Sequence, residues 1–325
     1  MKKIYLILSI FAVVFTACET DFDPNSTWEE VVVVYGLLDA GAGQELQQIR
    51  IGKAFLGDIN IPAEEIAQYA DSINFDSNDL DVKVIRVKNN GSNDTMLLSP
   101  KITIRDGDIF NDTIILYEFY NDNFLNSGSR YDLIIENKLS GNIVTGSTEI
   151  ISNFSFDLND DYKFNFYNPG MPDSSKYLVK RLDWNSFMNG KIYQVDIRFE
   201  YLENGELKSL IWSQPLVVSN NSQMNALLEG DKFFTFLRNS ISEDETKDRV
   251  FVDIDLIMTV GTTDLETYIN VNKPITGIVQ ERPYFSNINN GIGIFSSRLT
   301  HIRNDVSLHS ETKYYLVNEL DRNFQ

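Results

Sequence analysis

From residue 191 to 212 the chain alternates apolar and polar residues with a period of two. Tyr193, Val195, Ile197, Phe199 and Tyr201 fall on one side, and Gln194, Asp196, Arg198 and Glu200 on the other. A strand turns successive side chains to opposite faces, so this pattern suits a sheet with one buried and one wet face. It does not suit a helix, whose apolar positions recur every three or four residues. Asn204-Gly205 follows, and both residue types accept the positive φ that a two-residue type I′ turn needs at its two central positions. Leu207 to Trp212 then returns as the partner strand of an antiparallel hairpin. Val250, Val252, Ile254, Leu256 and Met258 repeat the alternation, with Asp253 and Asp255 on the opposite face.

Further strands are expected over 31–38, 48–51, 82–87, 131–136, 143–150, 292–295 and 313–317. Helical signals are few. Pro62-Ala63-Glu64-Glu65 places proline and acids where a helix N-terminus favours them, with Ile66, Tyr69 and Ala70 at helical spacing. A second helical stretch is expected over 223–228 and 231–241, interrupted at Gly230, with Phe233, Leu237 and Ile241 on one face. Short strands separated by turn-rich spacers predict a mainly β protein built from sandwich-type domains.

The first thirty residues carry a different kind of information. Lys2 and Lys3 precede an apolar run from Ile4 to Phe15, which is shorter than the roughly 20 residues a permanent membrane helix needs. It ends in Phe15-Thr16-Ala17-Cys18. Residues 1–17 therefore read as a cleaved signal peptide, and the small pair before the cysteine resembles the bacterial lipobox. That resemblance implies that Cys18 becomes the N-terminus, with a thioether-linked diacylglycerol and an acylated amine. Each buried methylene contributes about 0.8 kcal/mol, so several acyl chains make a durable anchor. Cys18 is the single cysteine, so the mature chain has no thiol for a disulfide, for catalysis or for a metal. Residues 18–30 are polar and acidic without apolar periodicity, as in a flexible stalk. Acids directly after the lipidated cysteine resemble the signal that sends lipoproteins of Bacteroidetes-type bacteria to the outer face of the outer membrane. The expected location is accordingly the cell outer membrane, facing the exterior, with a merely solvating linker as the alternative reading of the acids and the periplasmic face then left open.

Cleavage after residue 17 leaves 308 residues and removes two lysines, taking the formal charge from −19 to −21. Such a field repels phosphate backbones, so nucleic acid is not expected as a partner. A mature length beyond the roughly 250–300 residues that one core serves suggests two domains. The boundary falls near 152–161. Tyr131-Asp132-Leu133-Ile134-Ile135, a turn at Ser140-Gly141-Asn142 and Ile143-Val144-Thr145-Gly146-Ser147-Thr148 look like the closing hairpin of an immunoglobulin- or fibronectin-like sandwich. The expected division is an immunoglobulin-like β-sandwich over 31–152, then a larger antiparallel β domain over 153–325 with one or two short helices.

Three segments together resemble Bacteroidetes outer-membrane lipoproteins with domains of unknown function, some encoded beside TonB-dependent receptors. They are Val31-Val32-Val33-Val34-Tyr35-Gly36-Leu37-Leu38-Asp39, Lys53-Ala54-Phe55-Leu56-Gly57, and Asn287-Ile288-Asn289-Asn290-Gly291-Ile292-Gly293-Ile294-Phe295. These motifs are structural. They imply an address, an architecture and a β-barrel as partner, and they carry no catalytic residue.

Marks of chemistry are sparse. The chain has no phosphate-cradling G-x-x-x-x-G-K-[ST], no H-E-x-x-H and no G-x-S-x-G. Its two histidines, His301 and His309, are too few for a three-histidine metal site, and Ser310-Glu311-Thr312-Lys313 matches S-x-x-K without the supporting K-T-G. Asp253 and Asp255 share a strand face, as the two carboxylates of a glycoside hydrolase can, but alternation on a half-solvated sheet accounts for them. The acidic clusters at 76–81 and 157–161 lack calcium-loop spacing and read as solvated turns, so no cofactor is expected beyond the lipid. Two aromatic runs amid Asn and Asp are the candidate binding residues: Tyr117, Phe119 and Tyr120 in one, Phe166 and Tyr167 in the other. Sandwich core is the alternative for all five. Ser72, Thr95 and Thr113 sit in Asp-Ser/Thr-apolar triplets resembling the O-glycosylation sequon of exported Bacteroidetes proteins. The leading expectation is a non-enzymatic binding or assembly module beside a β-barrel. A glycan- or nutrient-binding surface protein and a carboxylate-dependent hydrolase are the alternatives.

The anchor reading predicts that Cys18→Ser moves the chain out of the detergent-released membrane fraction. Mass spectrometry of the native protein should show a diacylglyceryl-modified Cys18 at the N-terminus. An unmodified sulfur with residues 1–17 still attached would refute the export route.

Overall fold

The computed structural model describes residues 31–41, 43–54, 73–88, 92–105, 112–152, 158, 161–220, 223–274, 283–304 and 306–325. The expected helix at Pro62, the lipidated Cys18, Ser72 and most of the 157–161 cluster lie outside these residues. The protein is mainly β, with three α-helices among the described residues. The first half runs β1 (Val31–Asp39), β2 (Leu46–Ala54), β3 (Leu80–Val87), β4 (Asp94–Leu97), β5 (Ser99–Arg105), β6 (Asp112–Tyr120), β7 (Arg130–Asn137) and β8 (Ile143–Glu149). The second half runs β9 (Lys163–Phe164), β10 (Val179–Trp184), β11 (Ile192–Glu203), β12 (Glu206–Ser213), β13 (Val217–Val218), β14 (Met224–Glu229), α1 (Gly230–Ser240), β15 (Arg249–Gly261), α2 (Thr263–Val271), β16 (Ile288–Asn289), β17 (Ile292–Arg303), β18 (Ser307–Leu308) and α3 (Ser310–Asn318).

The predicted hairpin is present. β11 and β12 pair from Asp196↔Ser213 to Glu203↔Glu206, and the turn residues Asn204 and Gly205 have φ of 52° and 83°. The alternation on β15 is broken where the register against β11 shifts, with Glu200↔Asp253 followed by Tyr201↔Phe251 and Val252 as the extra residue. A bulge of this kind reverses the in/out parity beyond it. Val250 and Val252, expected inside, are therefore exposed, and Arg249 is fully buried instead. Its guanidinium is satisfied by Glu203 Oε2 at 2.9 Å and the Arg322 carbonyl at 2.7 Å.

Two other expectations are corrected. Residues 224–229 form a strand because Met224, Ala226 and Leu228 are the buried set, at a spacing of two, against β10. Residues 313–317 belong to α3 because Thr312, Tyr315 and Leu316 are buried at helical spacing and the His309 side chain accepts from Glu311 N at the helix start.

The domain division expected at residue 152 meets a sheet that crosses it. A nine-stranded sheet runs β12-β11-β15-β17-β1-β2-β6-β5, with β13 joined to β11. β1 lies parallel to β17, from Val33↔Ile292 to Asp39↔Arg298, and antiparallel to β2. A five-stranded sheet, β16-β8-β7-β3-β4, covers the inner face of the β1, β2 and β6 end. The N-terminal sandwich is thus completed by strands from the far end of the chain, and its core contains Ile288 and Phe295 beside Val34, Val84 and Leu133. The same inner face at the β11, β15 and β17 end is covered by α1, α3 and aromatic residues of the 162–167 segment, in a core built on Phe166, Phe199, Phe233 and Leu299.

The close approach of β17 to β1 depends on Gly293. Its φ is 114°, and a Cβ there would lie 2.0 Å from the Val34 carbonyl oxygen. Asp39 closes the other end of the ladder, accepting from Arg298 Nε at 2.8 Å, Thr300 N at 3.1 Å and Thr300 Oγ1 at 2.8 Å. Two glycines thus give a stability contrast. Gly205→Ala adds backbone strain with nothing within 4 Å of the new Cβ and should cost about 1 kcal/mol. Gly293→Ala adds the same strain plus a backbone clash and should cost about 3 kcal/mol or more. Urea midpoints of the two variants compared with the parent chain check this, and equal midpoints would contradict the role given to Gly293.

Candidate functional site

The inner face of the nine-stranded sheet is covered by the five-stranded sheet at one end and by α1, α3 and the 162–167 segment at the other. On β1 the buried Val32, Val34 and Leu38 point inward, which turns Val33, Tyr35 and Leu37 outward. α2 stands on this outer face. Its N-cap Thr262 accepts from Leu265 N and shares a hydrogen bond with Ser296 Oγ of β17 at 2.6 Å. The segment before β16 is held by Asn287, whose amide donates to the Phe295 carbonyl and to Asp264 and whose oxygen accepts from Phe295 N.

These contacts place three tyrosines and a phenylalanine around one opening. Tyr35 of β1 is 45% exposed, Tyr284 is 69% exposed, and Tyr268 of α2 meets the Tyr35 ring edge-on at 6.5 Å. With Phe285 and Val271 they line a cleft of about 250 Å³. Burial, with the Tyr35 phenol beside it, pushes the Tyr268 hydroxyl above its ordinary value, so it stays protonated. A second depression of about 310 Å³ adjoins across Val33 and Tyr35 and is lined by Arg50 and Lys53. The Lys53 ammonium sits 4.8 Å from the centre of the Phe75 ring. The groove therefore has an aromatic end and a basic end, with Tyr35 between them.

A larger opening of about 510 Å³ is lined by Arg86, Lys88 and Arg130 near Glu149. Its cations are already matched. Asp94 pairs with Arg86 and Lys88, and Arg130 pairs with Asp132. The Lys88 ammonium first, then the Arg86 guanidinium, holds the Asp94 carboxyl below its ordinary range.

No protein-family model matches the chain, and no curated protein matches it. Among solved structures it is similar to a crystal structure of a DUF4785 family protein from Legionella pneumophila, at 15% identity and a TM-score of 0.21. That match covers 70% of this chain and spans about half, 51%, of the other.

The residues singled out by sequence are placed as follows. Tyr117 and Phe119 lie in the N-terminal core, and Phe166 and Tyr167 in the C-terminal one. Four of the five aromatic binding candidates are therefore inside the protein, because strand alternation and aromatic packing bury them. Only Tyr120, at 68% exposure, reaches solvent. Tyr167 donates to Glu319 at 2.7 Å; this hydrogen bond, with burial, raises its hydroxyl well above the ordinary tyrosine range. Thr95 is exposed on β4, while Thr113 on β6 is half-buried and its carbonyl accepts from Asn74. Asp255 is buried and paired with Arg198, so it is not on a wet face as the alternation suggested. Asp76 orders its own turn by accepting from Asn78 N at 3.0 Å. Among the described residues no group of three His, Cys, Asp or Glu is positioned to hold a metal ion.

Sequence reasoning missed Tyr35, Tyr268 and Tyr284. Tyr35 was accessible to it: once Val32 and Val34 are inside, the residue between Val34 and Gly36 must face outward. Tyr268 was not, because the helix that carries it was not expected.

The burial of Tyr117 has a measurable consequence. Its hydroxyl has no hydrogen-bond partner among the described residues. Burial first, then Asp79 and Asp76, pushes it up to about 12. A tyrosine in the unfolded chain ionises near 10, so the unfolded state loses this proton first and stability falls as pH rises from about 10 to about 12. Tyr117→Phe removes an unsatisfied polar group. It should leave the protein as stable or about 1 kcal/mol more stable at pH 7, and should flatten the alkaline decline. Urea titrations at pH 7 and pH 11 check both expectations.

Proposed function

We propose that this chain is a lipid-anchored, non-enzymatic binding module of the outer membrane, presenting the aromatic cleft on the outer face of β1 to its ligand. The carrying observation is the convergence of Tyr35, Tyr268, Tyr284 and Phe285 on one opening from three separate parts of the chain. Exposed single apolar residues are ordinary, whereas several aromatic rings around one concavity mark recognition surfaces. Among the described residues no nucleophile–base pair lines the cleft. Besides the tyrosine hydroxyls, the polar side chains lining the groove among the described residues are Arg50, Lys53 and Asn272, which bind and orient but do not form an acid–base couple.

The rest of the proposal comes from the sequence. Phe15-Thr16-Ala17-Cys18 supplies the tether, and the acidic residues behind it supply the address on the outer leaflet. The resemblance to Bacteroidetes outer-membrane lipoproteins, some encoded beside TonB-dependent receptors, makes a neighbouring β-barrel the partner to which a captured ligand is handed.

A photo-crosslinking side chain at Tyr284 in the full-length protein, illuminated in native membranes, should give a discrete adduct. The same group at Tyr314, a 50% exposed position on α3 outside the cleft, should give none. No adduct at either position, or equal labelling at both, would remove the cleft as the binding surface.

A further inference from the structure

Building on the binding-module reading, we infer that the ligand is an acidic saccharide, a sugar chain bearing carboxylate or sulfate groups, laid across the outer face of the nine-stranded sheet. The inference rests on what lies in register beside the aromatic cleft. Tyr35 pairs with Ile294 on one side and Arg50 on the other, Arg50 pairs with Leu116, and Leu116 pairs with Lys101. Residues in register on one face form a row across the strands at about 4.8 Å per strand. The row therefore runs from the aromatic rings at Tyr35 to a guanidinium one strand away, and to an ammonium about 10 Å beyond that.

Arg50 differs from most arginines of this chain, while Lys101 is one of several lysines without an ion-pair partner among the described residues. The mature protein carries 26 Lys and Arg against 47 Asp and Glu, so a cation normally finds an acid nearby. Arg86, Arg130, Arg198, Arg249, Arg298 and Arg322 all do. Arg50 and Lys101 have no ion-pair partner among the described residues; Glu118, on the next row, accepts from the Gln48 amide at 3.0 Å and forms no ion pair with either. Distant negative charge does not forbid an anion here. Charges farther off than about 8 Å are largely screened at physiological salt, whereas a charge-assisted hydrogen bond acts at contact.

The chemistry of the floor separates a saccharide from a peptide. Peptides laid on sheets gain affinity from backbone hydrogen bonds to an edge strand. β1 is a central strand whose backbone is already paired with β2 and β17, so it offers none. It presents ring faces and side-chain tips instead. The C–H face of a sugar ring, slightly positive, complements the negative face of an aromatic ring, and its hydroxyls can use the Tyr268 hydroxyl and the Asn272 amide at the rim. A carboxylate or sulfate one strand over from Tyr35 meets Arg50, which can bind it through two N–H groups.

The test is calorimetric titration of the full-length protein, solubilised in mild detergent, with trigalacturonate, its fully methyl-esterified counterpart and a heparin-derived hexasaccharide. The parent chain should bind at least one acidic probe about tenfold or more tighter than the neutral ester. Arg50→Gln should reduce that acidic probe to the ester's affinity, Lys101→Gln should weaken it by a smaller factor, and Tyr284→Ala should weaken acid and ester alike. Unchanged urea midpoints establish that the variants are folded. Equal affinity for acid and ester, unaltered by Arg50→Gln, overturns the acidic class while leaving a binding cleft. No saccharide binding, with a crosslinked peptide or protein at Tyr284, overturns the saccharide while the binding-module reading stands. Absence of both saccharide binding and a Tyr284 adduct overturns the two together.

Discussion

The parallel pairing of β1 with β17 is the contact on which the remaining architecture depends. It joins residues separated by most of the chain, Val33 to Ile292, and it turns what would be two sheets into one. Parallel neighbours cannot be linked by a tight turn, so a long connection must separate these two strands in sequence. The N-terminal sandwich takes Phe295 and Ile288 into its core, and Ala40 packs against both hydrophobic clusters. Gly293 permits the approach and Asp39 secures its far end with an ion pair and two further hydrogen bonds.

That same pairing builds the cleft. Tyr35 belongs to β1, while Ile292 and Gly293 of β17, Tyr268 of α2 and Tyr284 before β16 all arrive from the C-terminal side of the molecule. α2 can stand over β1 only because β17, which it contacts through Thr262 and Ser296, is the neighbour of β1. The sheet's inner face is taken up by the two cores, and Tyr35 and Arg50 stand on its outer face. A paired central strand beneath them presents side chains in place of backbone groups, which narrows the kinds of ligand that suit the groove.

Much of the β architecture was legible because half-buried strands write their environment into the sequence at a period of two. The hairpin of β11 and β12, with Asn204 and Gly205 in the positive-φ region, shows this at its clearest. The pattern failed where geometry departed from ideal pairing. One extra residue at Val252 reversed the parity of β15 and brought Arg249 inside, a position from which composition alone would have excluded it. It failed again where short segments satisfy two periods. Residues 313–317 contain apolar neighbours compatible with a strand, and the cap at His309 with the buried set Thr312, Tyr315 and Leu316 makes them a helix. A dense run of aromatic residues suits a recognition surface and a core equally well. Tyr117, Phe119, Phe166 and Tyr167 went to the cores.

By itself the sequence determined the strand-rich class, the strongest hairpin and the acidic balance of charge, because each is written in a contiguous run of residues or in composition. Tertiary structure alone decided that the two halves share a sheet, which aromatic rings face solvent, and which cations stand without an acid beside them among the described residues. These are pairings between distant residues, and a pairing between Val33 and Ile292 leaves no local periodicity from which it can be read.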